Sequence, residues 1–287
     1  MMRARSHSFW QAVIQFCRKR PLGAVGGAVV LTMILLAILA SAIAPSDPLA
    51  IDFEAMLRAP SLKHWMGTDA FGRDILSRII YGSRTALLVG FLTSLLGTTL
   101  GAMIGVACAY FGGKTDLIIQ RFVEVFLSFP LIMMALALVT VLGGGIENVI
   151  TAITIPTIPR VTQVIRARAL SIREMRYIDA ARVCGFKHSR IIFRHIMPNV
   201  MSPYLIMLTS LLGQSILVEA SLSYLGLGVA EPTPSWGLML RGAAAEFAES
   251  APWMAIFPGL AISLAVFGFN IFGDSLRDEL DPKLRRT

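Results

Sequence analysis

Residues 112–115 read Gly-Gly-Lys-Thr, the composition of the end of a phosphate-binding loop, where backbone N–H groups and a lysine cradle a nucleotide. That loop also requires a glycine five residues before Gly113, and Cys108 stands there. The segment follows a long apolar run instead of a strand, so no nucleotide site is expected on this chain. Gly273-Asp274-Ser275-Leu276 spells a hydrolase tetrapeptide, yet it ends an apolar run with no histidine nearby to act as base. His7, His64, His188 and His195 are scattered without metal-ligand spacing, and Cys17, Cys108 and Cys184 imply no disulfide framework. The chain is therefore expected to be no enzyme and to carry no catalytic residue, metal or cofactor of its own.

What remains are ionisable or polar residues inside apolar runs, which are costly at membrane depth and mark function by default. Glu124 lies three residues beyond Arg121, close enough for a local ion pair, and Asn270 and Asp274 fall towards the end of the last run. Glu219 has no sequence-local partner. Two readings stand for it: a residue of a pathway or gate, and a hydrogen-bonded packing residue.

The elements that would hold these residues follow from composition. Of the 287 residues 55% are hydrophobic and 15% charged, against about a quarter charged in ordinary water-soluble domains. Apolar runs at about 22–44, 85–110, 117–142, 146–165, 200–228 and 253–276 are each near the roughly 20 residues a helix needs to span a hydrocarbon core. Backbone polar groups in lipid must be satisfied within their own segment, so the chain is expected to be all-α and polytopic, with six transmembrane helices. The first run, longer than a cleaved leader's apolar core, is read as a retained helix.

Basic residues resist translocation and so orient the bundle. With the N-terminus inside, segments 1–21, 111–121, 160–197 and 277–287 hold 20 of the 26 Lys and Arg, which places both termini in the cytoplasm. Topology alone thus accounts for the net charge of +8, and no nucleic acid is implied. The expected organisation is a cytoplasmic N-terminus at 1–21, a first helix with an outer segment over 22–84, a core membrane domain over 85–276 and a cytoplasmic tail at 277–287. In the outer segment, Ile75, Leu76, Ile79 and Ile80 show the 3-4 spacing of an amphipathic surface helix, either a packed elbow or a contact for an external partner. Gly97, Gly101 and Gly105 repeat every fourth residue, a spacing that lets two helix backbones approach closely in lipid. Pro130, Pro156 and Pro159 predict kinks or interruptions.

Between the fourth and fifth runs, residues 173–199 carry six Lys or Arg and two His against two acidic residues. Met175, Ile178 and Ala181 recur every third residue, giving a short helix with an apolar face while Arg173, Arg176 and Arg182 stay wet. After Gly185, Ser189 is positioned to cap a second helix containing Ile191, Ile192 and Ile196, which is expected to stop before Pro198. Charge alone would suit an inner loop that merely enforces topology. It leaves the apolar face, the alanine pair and the glycine without a role.

This stretch, IDAARVCGFKHSRIIFRHIMP, resembles the EAA signature of ABC-importer permeases: Glu-Ala-Ala, three residues, Gly, nine residues, then Ile-x-Leu-Pro. Asp179, Ala180, Ala181, Gly185 and Pro198 fall at that spacing, with Asp179 for Glu, His195 for Ile and Met197 for Leu. MGTDAFGRDILSRIIYGSRTALLVG, EPTPSWGLML, FPGLAI and FNIFGDSLRDELDPKLR are similar to the C-type inner-membrane subunit of dipeptide, oligopeptide and nickel importers, so that the likeness covers residues 20–286. The resemblance implies an inner-membrane permease forming half of a pathway with a second homologous permease. It implies two ATP-binding subunits that hold ATP and Mg, an extracytoplasmic binding protein, and a cytoplasmic coupling loop at 167–198 with Asp179, Ala180, Ala181, Arg182, Gly185 and Pro198 as contacts. Di- or oligopeptides are the expected cargo; nickel, or an ATP-independent secondary transporter, are the alternatives.

Overall fold

The computed structural model describes residues 17–280. The outermost parts of the expected N-terminal segment and tail, residues 1–16 and 281–287, lie outside the described residues. Among those described the chain is helical: α1 Pro21–Ile38, α2 Ile75–Phe111, α3 Gly113–Leu127, α4 Leu131–Leu142, α5 Ile146–Arg173, α6 Arg176–Val183, α7 His188–Tyr224, α8 Trp236–Glu246 and α9 Trp253–Leu280.

Four of these, α1, α2, α7 and α9, are long and apolar enough to cross a membrane. The count reaches five if α3 and α4, bent by 92° at their junction, form one broken span. The fourth expected run, 146–165, lies in α5, which is not among these spans because Glu147, Asn148, Arg160 and Gln163 lower its mean hydropathy, yet it packs intimately on α2. The glycine ladder explains how. A Cβ at Gly97, Gly101 or Gly105 would lie 3.0 Å from Thr157 Cγ2, 2.7 Å from Val161 Cβ or 2.7 Å from the Thr162 carbonyl oxygen. The two backbones are therefore as close as glycine allows, and because the partners advance in the same direction along both chains the helices are parallel. α7 runs antiparallel to α5, with Gly145 N donating to Gly228 O at 3.2 Å where the two meet at the end remote from α6.

Three local expectations need correction. The surface helix at Ile75–Ile80 is not separate; it is the first two turns of α2, with Ile75 and Ile80 buried. Asp74 starts α2 by accepting from Ser77 N at 2.8 Å, which moves the boundary ten residues before the apolar run. Of the prolines, Pro130 does separate α3 from α4, but Pro156 and Pro159 lie within an unbroken α5. Finally, the helix that begins at His188 does not stop before Pro198. A π-helical turn at Ile192–Ile196 widens the coil just ahead of the ring that lacks an N–H, and the helix continues to Tyr224.

At the α6 end, one buried cluster joins Ala109 and Tyr110 of α2, Ile165, Ala169 and Ile172 of α5, Ile178 and Ala181 of α6, and Ile191 and Ile196 of α7. Arg20 and Asp278, 2.9 Å apart, tie α1 to α9. At the far end, Trp236 Nε1 donates to Ile79 O at 2.9 Å and Trp253 Nε1 to Thr68 O at 3.2 Å, stitching the 45–83 segment to α8 and α9.

Candidate coupling site

α6 is a short helix that could not persist alone in water; its helical stability must come from packing. Its sequence supplies one narrow apolar face. Ile178 is fully buried and Ala181 nearly so, both in the cluster shared by α2, α5 and α7. The alanine pair is therefore divided: Ala181 makes its close approach to this chain's own core, and only Ala180 faces outward.

The helix ends in a complete glycine-terminated cap. Gly185 N donates to Arg182 O at 2.9 Å and Phe186 N to Ala181 O at 3.1 Å, the two reversed bonds of a Schellman motif. Gly185 has φ +74, and nothing lies within 4 Å of a Cβ added there. Glycine is needed for the backbone, not for space. Phe186 then folds back onto the core cluster, with its ring nearly parallel to that of His195 at 6.2 Å and the Arg190 guanidinium 4.1 Å from its centroid.

Contacts far apart in sequence fix this unit to the helices behind it. Tyr110 Oη and His188 Nδ1 are 2.7 Å apart, and Arg173 Nη1 donates to Ala109 O at 2.8 Å, so the end of α2 is held from both sides of the α6 turn. Arg166 grips Asp116 through Nε and Nη2, each at 2.6 Å, joining α3 to α5 in the fork geometry that a guanidinium offers a carboxylate. Asn199 Nδ2 donates to His195 O at 2.6 Å beside Pro198. α6 is therefore packed with α2, α5 and α7 as one close-packed unit.

The outward surface is different in kind. Val183 is 89% exposed, on the same short helix as the exposed Asp179, Ala180 and Arg182, and Phe193 in the π-turn is 67% exposed. Asp179 Oδ1 accepts from Arg182 Nη1 at 3.1 Å, an exposed pair whose contribution to stability is about 0–1 kcal/mol. The Arg182 guanidinium also lies 5.8 Å from the centroid of the Tyr110 ring. Arg176, Lys187, Arg190 and Arg194 make the surroundings basic.

The other candidates resolve as follows. Glu219 is 2% exposed and its Oε1 accepts from Ser223 Oγ and Ser235 Oγ, both at 2.8 Å. This is the geometry of the packing alternative, tying α7 to the residue before α8. Glu124 pairs with Arg121 at 2.9 Å. Gly112 and Gly113, both at positive φ, turn the chain between two helices, and Lys114 is the second residue of α3. Among the described residues no three His, Cys, Asp or Glu side chains are grouped to hold a metal ion. Tyr110 and the Arg166–Asp116 pair were not singled out from sequence, His188 was named only as lacking metal-ligand spacing, and Arg173, expected to stay wet, is instead half-buried on Ala109 O. Nothing local marks them, since their partners lie 50 to 78 residues away.

Comparison with known proteins agrees with this architecture. Residues 97–286 match the family described as binding-protein-dependent transport system inner membrane component, and residues 8–60 match the N-terminal TM domain of oligopeptide transport permease C. The chain is 40% identical over 276 residues to a dipeptide transport system permease protein, DppC, of Alkalihalophilus pseudofirmus, covering 96% of this chain and 90% of that one. It is 40% identical over 278 residues to a glutathione transport system permease protein, GsiD, of Pectobacterium atrosepticum, covering 96% and 91%. Among solved structures, the inward-facing MetNI methionine ABC transporter superposes with a TM-score of 0.59 at 16% identity, covering 72% of this chain and 98% of that one. The chain belongs to the binding-protein-dependent inner-membrane permeases of ABC importers, in the C-type branch of the dipeptide and oligopeptide family.

Proposed function

We propose that this chain is one of two homologous permease subunits in an ATP-driven importer of di- or oligopeptides, fed by an extracytoplasmic binding protein and driven by two ATP-binding subunits that hold ATP and Mg. The single observation that carries the reading is the two-faced α6 unit, anchored inward by Ile178 and Ala181 and presenting Asp179, Ala180, Arg182 and Val183 outward. A surface so built takes a stroke from a partner and passes it to the spans behind. The peptide cargo is supported by the relatives named for a dipeptide and for glutathione, itself a tripeptide.

In this reading α1, α2, the broken α3–α4 pair, α5, α7 and α9 make six crossings, both termini are cytoplasmic, and residues 167–198 form the coupling loop. Gly185 sets the angle between α6 and α7, and Pro198 sits where the π-turn lets α7 enter the membrane. Glu219 holds the far end of α7 to the loop before α8 and does not line the pathway. The test is co-expression with the partner permease, the ATP-binding subunits and the binding protein, followed by ATP-dependent uptake of labelled dipeptide. Uptake that needs all components supports the reading, and uptake by this chain alone, without nucleotide, overturns it.

A further inference from the structure

Arg160 is the central charge of α5, the fifteenth of its 28 residues. At about 1.5 Å per residue it stands about 20 Å from either end of that helix, deep within a hydrocarbon core of about 30 Å. Its partner position on α7, Gln214, lies about 15 Å from the end at Tyr224 by the same rise. Arg160 Nη1 donates to Gln214 Oε1 at 2.9 Å, and both side chains are on the exposed side of the chain.

Arg160, Gln163, Val164 and Ala167 share one exposed side of α5, opposite the buried Val161, Ile165 and Ala169. A guanidinium there cannot be turned to lipid without stranding charge in hydrocarbon, so at that depth it meets a water-filled passage or another subunit. Arg160 also lacks a counter-charge. Among the described residues no carboxylate pairs with it, while Arg166, less than two turns on, is matched bidentately by Asp116.

We propose that Arg160 is a carboxylate-binding station in the translocation pathway, held in place by Gln214 and engaging the carboxylate of the transported solute. The inference rests on the peptide-import reading above. A guanidinium has five N–H donors; the bond to Gln214 uses one and leaves others for the fork that a carboxylate prefers. Every peptide with a free C-terminus carries that group, which needs a cationic partner once it leaves bulk water. A neutral anchor fixes the arm without neutralising it. The station can therefore take an anion and release it, as a site that empties in every cycle must.

The test uses the complete complex, with both permeases, the ATP-binding subunits and the binding protein, in proteoliposomes. Arg160→Gln is expected to lower dipeptide import about tenfold, the loss of one charge-assisted contact, while ATP hydrolysis stimulated by loaded binding protein persists. Arg160→Cys, made with Cys17, Cys108 and Cys184 replaced by serine, supplies the decisive arm. A water-soluble thiosulfonate should modify the new thiol during turnover, and excess dipeptide should slow that modification. An ethylammonium adduct should restore import, whereas an ethylsulfonate adduct should not. Equal behaviour of the two adducts, a thiol that is unreactive or unprotected by peptide, or failure of the variant to assemble would each overturn the proposal, the last two placing Arg160 in a subunit contact. Absence of peptide import by the unmodified complex would instead count against the function reading.

Discussion

The two ends of this bundle balance apolar and polar contacts differently. At the α6 end, aliphatic side chains from α2, α5, α6 and α7 share one large buried cluster, and the ion pair on the outer face of α6 is exposed. At the opposite end a smaller cluster sets Leu57, Met66 and Ile75 against Ala243, Ala251 and Met254, and a polar network within the 45–83 segment and the start of α2 adds to it. Asp74 accepts from Ser77 and contacts His64 Nδ1 at 3.0 Å, and Asp69 accepts from Arg73 Nε at 2.6 Å beside the buried Arg78. Hydrogen bonds are directional and fail when one partner is removed, whereas aliphatic packing tolerates small sliding displacements. In the proposed reading the α6 end receives motion and the 45–83 end holds a fixed shape.

Substitutions should expose that contrast. The largest effect is expected for Ala181→Glu, which forces a carboxylate into the aliphatic cluster; several kcal/mol of destabilisation should appear as loss of folded protein in detergent melting. Asp74→Ala removes the cap of α2 and leaves His64 and Ser77 without their acceptor, so about 2–3 kcal/mol should be lost with the coupling loop undisturbed. Tyr110→Phe breaks only the contact with His188, at a cost of about 1 kcal/mol, and should raise proteolysis within 173–199 more than elsewhere. Gly185→Ala, strained at φ +74 but sterically free, should cost about 1 kcal/mol and lower uptake through a changed α6–α7 angle. Asp179→Asn should leave stability within about 0.5 kcal/mol of the unaltered chain, any loss of uptake then reporting a partner contact.

Much of this was legible because it is periodic. Of the 3-spaced Met175, Ile178 and Ala181, the last two form the buried face of α6 while Met175 is exposed; the four-residue spacing of Gly97, Gly101 and Gly105 foretold a close helix contact, which α2 makes with α5, and Gly185 marked the turn. The failures share a cause. Hydropathy windows average over a helix, so the run was bounded at 146–165 while α5 continues to Arg173. Ser189 matched a cap pattern, but Lys187 holds the cap position and no side chain caps that helix. Proline rules described Pro130 correctly and Pro198 wrongly, because a π-turn can absorb a missing donor and nothing in the residues around Pro198 announces one. The anchors Tyr110 and Arg173 depend on folding itself, with partners 78 and 64 residues away.

The claim that α6 is a two-faced handle is tested most directly by changing its free face alone. Val183, 89% exposed, contributes almost nothing to the core, so Val183→Glu should leave melting temperature and pairing with the second permease as they were. In the reconstituted complex the account predicts that the ATP-binding subunits no longer co-purify and that ATP-driven dipeptide uptake is lost. Uptake at the unaltered rate with Val183→Glu would contradict it.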